Sequence, residues 1–105
     1  MRLSECPVRA AIDVIEGKWK PIIINALKAR PLRFGQLHRE APEATKKVLT
    51  AQLRELEKEG ILCRKNSDEG EEHLRYALTP YGRTLVPILS LMADWGATHR
   101  KRHEG

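Results

Sequence analysis

The stretch TKKVLTAQLRELEKEG, residues 45–60, carries the residues best suited to bind a polyanion. Lys46, Lys47, Thr50 and Arg54 are spaced by about a turn each, on a face expected to lie opposite Leu49, Leu53 and Leu56. Gln52 stands at the edge of that face. Cations and amides at this spacing suit phosphate contact and hydrogen bonding to base edges. The charge runs against ordinary helix preference, since the front is basic and Glu55, Glu57 and Glu59 crowd the rear. Positive residues at a helix front cost little when a phosphate-rich groove meets them, and the N-terminus itself favours anions. The plainer reading is a solvated helix face, flanked by Glu55 and Glu59 as an unfavourable i,i+4 pair. Arg33, Arg39, Lys65 and Arg75 are further candidates for phosphate contact.

A second chemistry belongs to thiols. Cys6 immediately precedes Pro7 at the cap of the first expected helix, and the positive end of a helix favours a reactive thiol. Arg9 lies one turn on. Cys63 begins a strand and is expected to be a small buried apolar residue; a Cys6–Cys63 bridge stays open. Two cysteines make neither a secreted disulfide framework nor a structural zinc site. His99 and His103 have a metal-capable i,i+4 spacing, but two ligands bind weakly, so no metal and no other cofactor is expected. His38 and His73 read as ordinary surface or half-buried residues. There is no nucleophile elbow, phosphate loop or paired-carboxylate cleft, and no enzymatic activity is expected.

The elements that must position these groups follow from periodicity. PVRAAIDVIEG is a helix with Val8, Ile12 and Ile15 on one side, Pro7 in its first turn and Gly17 as its stop. KWKPIIINALKA is a more buried helix, with Pro21 where first-turn amides lack partners anyway. PLRFGQLHREA starts extended and becomes a helix around Gln36–Glu40. Thr45 caps the next helix and stands at the front of its binding face. After Gly60 the period changes, and ILCRKNS and HLRYALT read as two strands around the turn DEGEE. Thr79 and Pro80 then start a last helix carrying Leu85, Leu89, Met92 and Trp95, bent by Pro87 and followed by the polar tail HRKRHEG. This order is that of a winged helix-turn-helix with an added helix at each end: mainly α with a small β-hairpin wing.

Composition sets the outer limits. With 105 residues the chain forms one domain over 1–105. Residues 1–65 hold 14 Lys/Arg against 8 Asp/Glu, whereas residues 66–105 hold 5 against 6. The net +5 is therefore a basic N-terminal part beside a nearly neutral remainder, which favours an anionic partner such as nucleic acid. No apolar run is long enough to span a bilayer and MRLSECPVRA shows no signal-peptide pattern, so a cytoplasmic protein away from membranes is expected.

CPVRAAIDVIEGKWKPIIINAL, RFGQLHRE, KVLTAQLRELEKEGIL and YALTPYGRTLVPIL, in this order and spacing, resemble the HxlR-type winged-helix transcription regulators, relatives of the MarR group. The match runs over residues 6–95 and leaves 96–105 as a polar tail. The resemblance implies a homodimer that reads an inverted-repeat operator in double-stranded DNA. Its terminal helices would pack on their mates through Val8, Ile12, Leu85, Leu89, Met92 and Trp95. Recognition helices in such dimers lie about 34 Å apart. It also implies that a cysteine at the Cys6 position senses oxidants, quinones or aldehydes in some members.

The wing departs from the family, whose members usually carry a proline-containing turn there. NSDEGEEHLRY instead places Asp68, Glu69, Glu71 and Glu72 beside any phosphates, which would repel them. The tip is expected to stay out of the DNA, with Lys65 and Arg75 on the strand shoulders as its contacts. Two other readings stand beside this one. One is an interaction module that has lost DNA binding; the other is a small-ligand-responsive regulator with an apolar pocket near Trp19 and Trp95.

Overall fold

The computed structural model describes the backbone of residues 6–67 and 70–104, and the side chains of 6–66 and 74–104. Among these, the elements in chain order are α1 (Pro7–Ile15), α2 (Lys20–Leu27), α3 (Phe34–Glu40), α4 (Lys46–Lys58), β1 (Leu62–Ser67), β2 (Gly70–Leu78), α5 (Pro80–Arg83) and α6 (Val86–Glu104). This is the expected winged helix-turn-helix. No helix among the described residues is long and apolar enough to cross a membrane.

The core gathers where the apolar stripes converge. Ile23, Ile24 and Leu27 of α2 meet Leu37 of α3, Leu49, Leu53 and Leu56 of α4, and Ile61, Leu62 and Leu78 at the base of the hairpin. Each of these side chains removes apolar area from water, worth roughly 1.5–3 kcal/mol when burial is complete. The core thus sits under the helix-turn-helix and fixes how α4 is presented.

β1 and β2 pair antiparallel, with Leu62 opposite Leu78 and Lys65 opposite Arg75; the register shifts between Lys65 and Ser67. β2 begins at Gly70, earlier than the run HLRYALT suggests, so the polar residues 70–72 belong to a strand. The extended residue Leu32 forms an isolated antiparallel bridge with Tyr76, tying the loop before α3 to the wing.

Two local solutions hold α4 and α5. Gly60 takes φ 77°, a left-handed conformation, after the last turn of α4. The Ile61 N–H then bonds back to Leu56 O at 2.9 Å and the Gly60 N–H to Glu57 O at 3.0 Å. That paired arrangement satisfies the orphan carbonyls of the helix end. Thr79 caps α5 by accepting from the Gly82 N–H at 2.9 Å, while its hydroxyl donates to Gly60 O. Gly82 passes so close to the Ile61 carbonyl that a Cβ there would collide with it.

The last helical region differs from expectation. A turn at Thr84 and Leu85 separates α5 from α6, so Pro87 does not bend one long helix. It occupies the second position of a new helix, where its missing N–H is no loss. Residues 96–104, read as a polar tail, continue α6. Lys101, Arg102 and His103 in the last turn suit the negative end of its dipole.

Candidate nucleic-acid interface

The front of α4 is built by its cap and by the turn before it. Thr45 Oγ1 accepts from the Val48 N–H at 3.1 Å, the expected N-cap. The turn between α3 and α4 folds over buried Ala41 and Ala44, with the Ala44 N–H bonded to Ala41 O at 3.1 Å. His38 closes it, its Nε2 donating to Ala44 O at 2.8 Å. His38, which reads as an ordinary surface or half-buried residue, is half-buried and has a structural role. From α2's side, Lys18 reaches Glu43 at 3.4 Å.

Lys46, Lys47 and Arg54 are exposed on α4. Thr50 and Gln52 are half-buried and stand at the flanks of the exposed face rather than on it. Its centre holds Ala51, with Val48 beside it, both exposed. These two apolar residues escape a search for polar readers, although a methyl on a recognition helix can meet a thymine methyl.

The acids at the rear of α4 have partners inside the chain. Glu55 meets the ammonium of Lys20 at 2.7 Å, and Glu57 meets Arg64 of β1 at 3.2 Å. Lys20 is 9% exposed, at the start of α2. The inverted charge of α4 is thus answered at the rear by cations of its own fold. Glu57 also lies by Tyr76, whose phenol is held above its ordinary range by burial first and by that carboxylate second; Arg64 and Arg54 pull it partly back.

A second basic surface lies between the helix-turn-helix and the wing. Arg30 and Pro31 of the α2–α3 loop, Arg33 at the start of α3, Gly35, Gln36 and Arg39 of α3, and Arg75 of β2 enclose a cleft of about 520 Å³. Gln36 braces it by accepting from the Arg33 backbone N–H at 2.9 Å. Three expected phosphate contacts, Arg33, Arg39 and Arg75, therefore converge, and Arg30 joins them unforeseen. Lys65 stands directly across the hairpin from Arg75. The expected behaviour of the wing tip falls on Asp68 and Glu69, outside the described residues, and on the side chains of Glu71 and Glu72, also outside them.

Cys6 is the N-cap residue of α1 and half-buried, with no side-chain cap hydrogen bond. Arg9 turns to Asp13 at 3.6 Å, within its own helix. Cys6 and Cys63 are both free thiols, and Cys63 is half-buried rather than enclosed.

The terminal helices leave a large apolar surface. Of the residues expected at a dimer contact, Val8, Ile12, Met92 and Trp95 are exposed, whereas Leu85 and Leu89 pack partly against the chain's own core. Ile88 and Leu91, 48% and 70% exposed, take their place. Their spacing with Met92 and Trp95 was legible as an i, i+3, i+4, i+7 stripe. Along the same helix Trp95 stacks on His99 with centroids 4.9 Å apart, and His99 meets His103 edge-on at 4.3 Å. The cleft at Trp95 is lined by Asp94, Thr98, His99 and Arg102, all from α6, so Trp19 has no part in it.

Comparison with known proteins agrees with this geometry. The model of the HxlR-like helix-turn-helix family matches residues 14–104. The HTH-type transcriptional regulator YdeP of Bacillus subtilis (strain 168) is 39% identical over 97 residues, covering 92% of this chain and 76% of YdeP. Among solved structures, the redox regulator HypR in its reduced form superimposes with a TM-score of 0.85 at 40% identity, over 94% of this chain and 98% of HypR. The quinone-bound YodB from B. subtilis gives a TM-score of 0.75 at 28% identity, over 89% of this chain and 99% of that one.

Proposed function

The chain belongs to the HxlR-like helix-turn-helix family of transcriptional regulators, and from that premise we propose that it acts as a homodimer on an inverted-repeat operator in double-stranded DNA. The observation that carries this reading is α4. It is capped by Thr45, exposes Lys46, Lys47 and Arg54 at its front and middle, and has two of its rear acids tied to Lys20 and Arg64. In a helix-turn-helix the second helix enters the major groove with its N-terminal residues against the bases. Lys46, Lys47 and Arg54 meet phosphates or guanine edges, Thr50 and Gln52 reach from the flanks, and Val48 and Ala51 offer methyl contacts.

Dimerisation uses the apolar surface of α1 and α6, with Val8, Ile12, Ile88, Leu91, Met92 and Trp95 as its centre. Exposed side chains of this size on the two terminal helices favour burial against a second copy. Regulation acts through Cys6. Cys6 stands half-buried at the N-cap position of α1, the helix that carries Val8 and Ile12, and both HypR, a redox regulator, and YodB, captured with a quinone, are similar proteins. Addition of Sγ to a quinone ring carbon, with loss of the C=C π bond and the thiol proton ending on the ring oxygen, would alter α1 packing and so the spacing of the two α4 helices. Cys6→Ser should abolish any oxidant or quinone response in DNA binding while leaving basal binding intact; an unchanged response would remove Cys6 from the account.

The operator reading is tested by enriching bound duplexes from a random pool. Two half-sites of opposite orientation, centred about 10–10.5 base pairs or a multiple of that apart, are expected. Enrichment of a single asymmetric site would contradict the dimer.

A further inference from the structure

We infer that the cleft between α3 and the base of the wing is a seat for the sugar–phosphate backbone, anchoring the protein on DNA in place of its wing tip. This rests on the DNA-reading function proposed above. Four arginines, Arg30, Arg33, Arg39 and Arg75, are among the residues lining one concavity of about 520 Å³, and no acidic residue lines it with them. Crowding like charges costs free energy unless an anion neutralises them. Arg30, Arg39 and Arg75 have no carboxylate partner among the described residues, whereas Glu43, Glu55 and Glu57 are committed to Lys18, Lys20 and Arg64.

The hairpin register is a separate observation pointing the same way. Lys65 and Arg75 face each other directly across the antiparallel strands. Directly opposed residues share one sheet face, and like charges in that position destabilise the pair. Arg75 belongs both to this pair and to the arginine cleft, so the strand register carries the Lys65 charge next to the residue that closes the cleft on the wing side.

Chemistry and placement select the ligand. Guanidinium forks match phosphate oxygens in two-point contacts, and a concave row of them suits successive phosphates. The cleft belongs to the first helix of the helix-turn-helix and to the strand leading out of the wing, the parts that flank the groove entered by α4. The residues Asp68, Glu69, Glu71 and Glu72 in the chain segment of the wing tip carry the wrong charge for this task.

The test measures binding of the full-length protein to its operator and to a scrambled duplex by fluorescence anisotropy over a range of salt. Arg30→Gln, Arg39→Gln and Arg75→Gln are compared with the wild type singly and together, with thermal melts checking the fold. Each substitution should weaken both duplexes alike and lower the salt slope by about 0.9, because phosphate contacts carry no sequence information. Asp68→Ser/Glu69→Ser should bind as tightly as the wild type or more so. Salt slopes unchanged by the arginine substitutions, or a marked loss on neutralising the tip, would overturn the proposal while leaving the operator reading in place. Arginine Nε–Hε NMR signals of the wild type, followed as scrambled duplex is added, provide a check free of mutations. Signals of Arg30, Arg39 and Arg75 should move first; signals that stay fixed during binding would exclude the cleft. A wild type that binds no duplex at low salt would overturn the operator reading and the cleft with it.

Discussion

Lys20 is a charged side chain where charge is expensive. It is nearly buried at the start of α2, and its ammonium lies 2.7 Å from Glu55 on α4. Removing one partner of a buried pair leaves the other uncompensated, which typically costs 3–5 kcal/mol. Glu55 is half-exposed and water can take over its solvation, so Lys20→Ala is expected to cost only about 1–2 kcal/mol. Lys20→Met keeps the packed methylene stem and should cost less than Lys20→Ala in denaturant melts. Equal losses would assign the stability to the charge instead. Tyr76 supplies a pH dependence. Because burial and Glu57 hold its phenol above the ordinary range, the folded state keeps a proton that the unfolded chain releases. The associated stability is complete below about pH 10 and is lost as the pH rises through the folded value. Absorbance titration should show a phenol ionising late, and Tyr76→Phe should flatten the alkaline loss of stability. Thr45 and Thr79 were legible as caps because capping is local chemistry. Lys20, His38 and Arg30 were not, since their roles depend on groups brought in from other elements.

At the scale of elements, close approaches and end caps decide where helices stop. Gly82 lets α5 lie against the Ile61 carbonyl, so Gly82→Ala should destabilise the fold by about 1–3 kcal/mol through forced displacement. A thermal melt equal to wild type would refute that packing. The division of α5 from α6 was hidden because Thr79-Pro80 and Val86-Pro87 are both helix-start signals, and the second reads equally well as a kink. That division also rotates the apolar stripe. Leu85 and Leu89 turn to the chain's own core, and Ile88 and Leu91 turn outward. Ile88→Glu or Leu91→Glu should therefore give folded monomers by sedimentation, whereas Leu89→Glu should damage folding itself. Dimers persisting in both outward variants would place the interface elsewhere.

At the scale of the whole molecule, charge and shape act together. Part of the basic excess of residues 1–65 gathers on two surfaces, the front of α4 and the arginine cleft, the latter completed by Arg75 of β2. The first was readable from one helical stretch. The second was not, because Arg75 reaches Arg30, Arg33 and Arg39 only through tertiary structure, with the Leu32–Tyr76 bridge holding the wing beside the loop. The proposed partner copy lies beyond what periodicity alone can place. The proposed function depends above all on the exposed face of α4 reading DNA sequence. Fluorescence anisotropy with duplexes from upstream of the chain's own and neighbouring genes, against scrambled controls at several salt concentrations, tests it most directly. Tight, sequence-preferring binding with a steep salt slope is predicted, with Lys47→Ala and Arg54→Ala reducing it. Equal binding to operator candidates and scrambled DNA, or none at low salt, would contradict the claim.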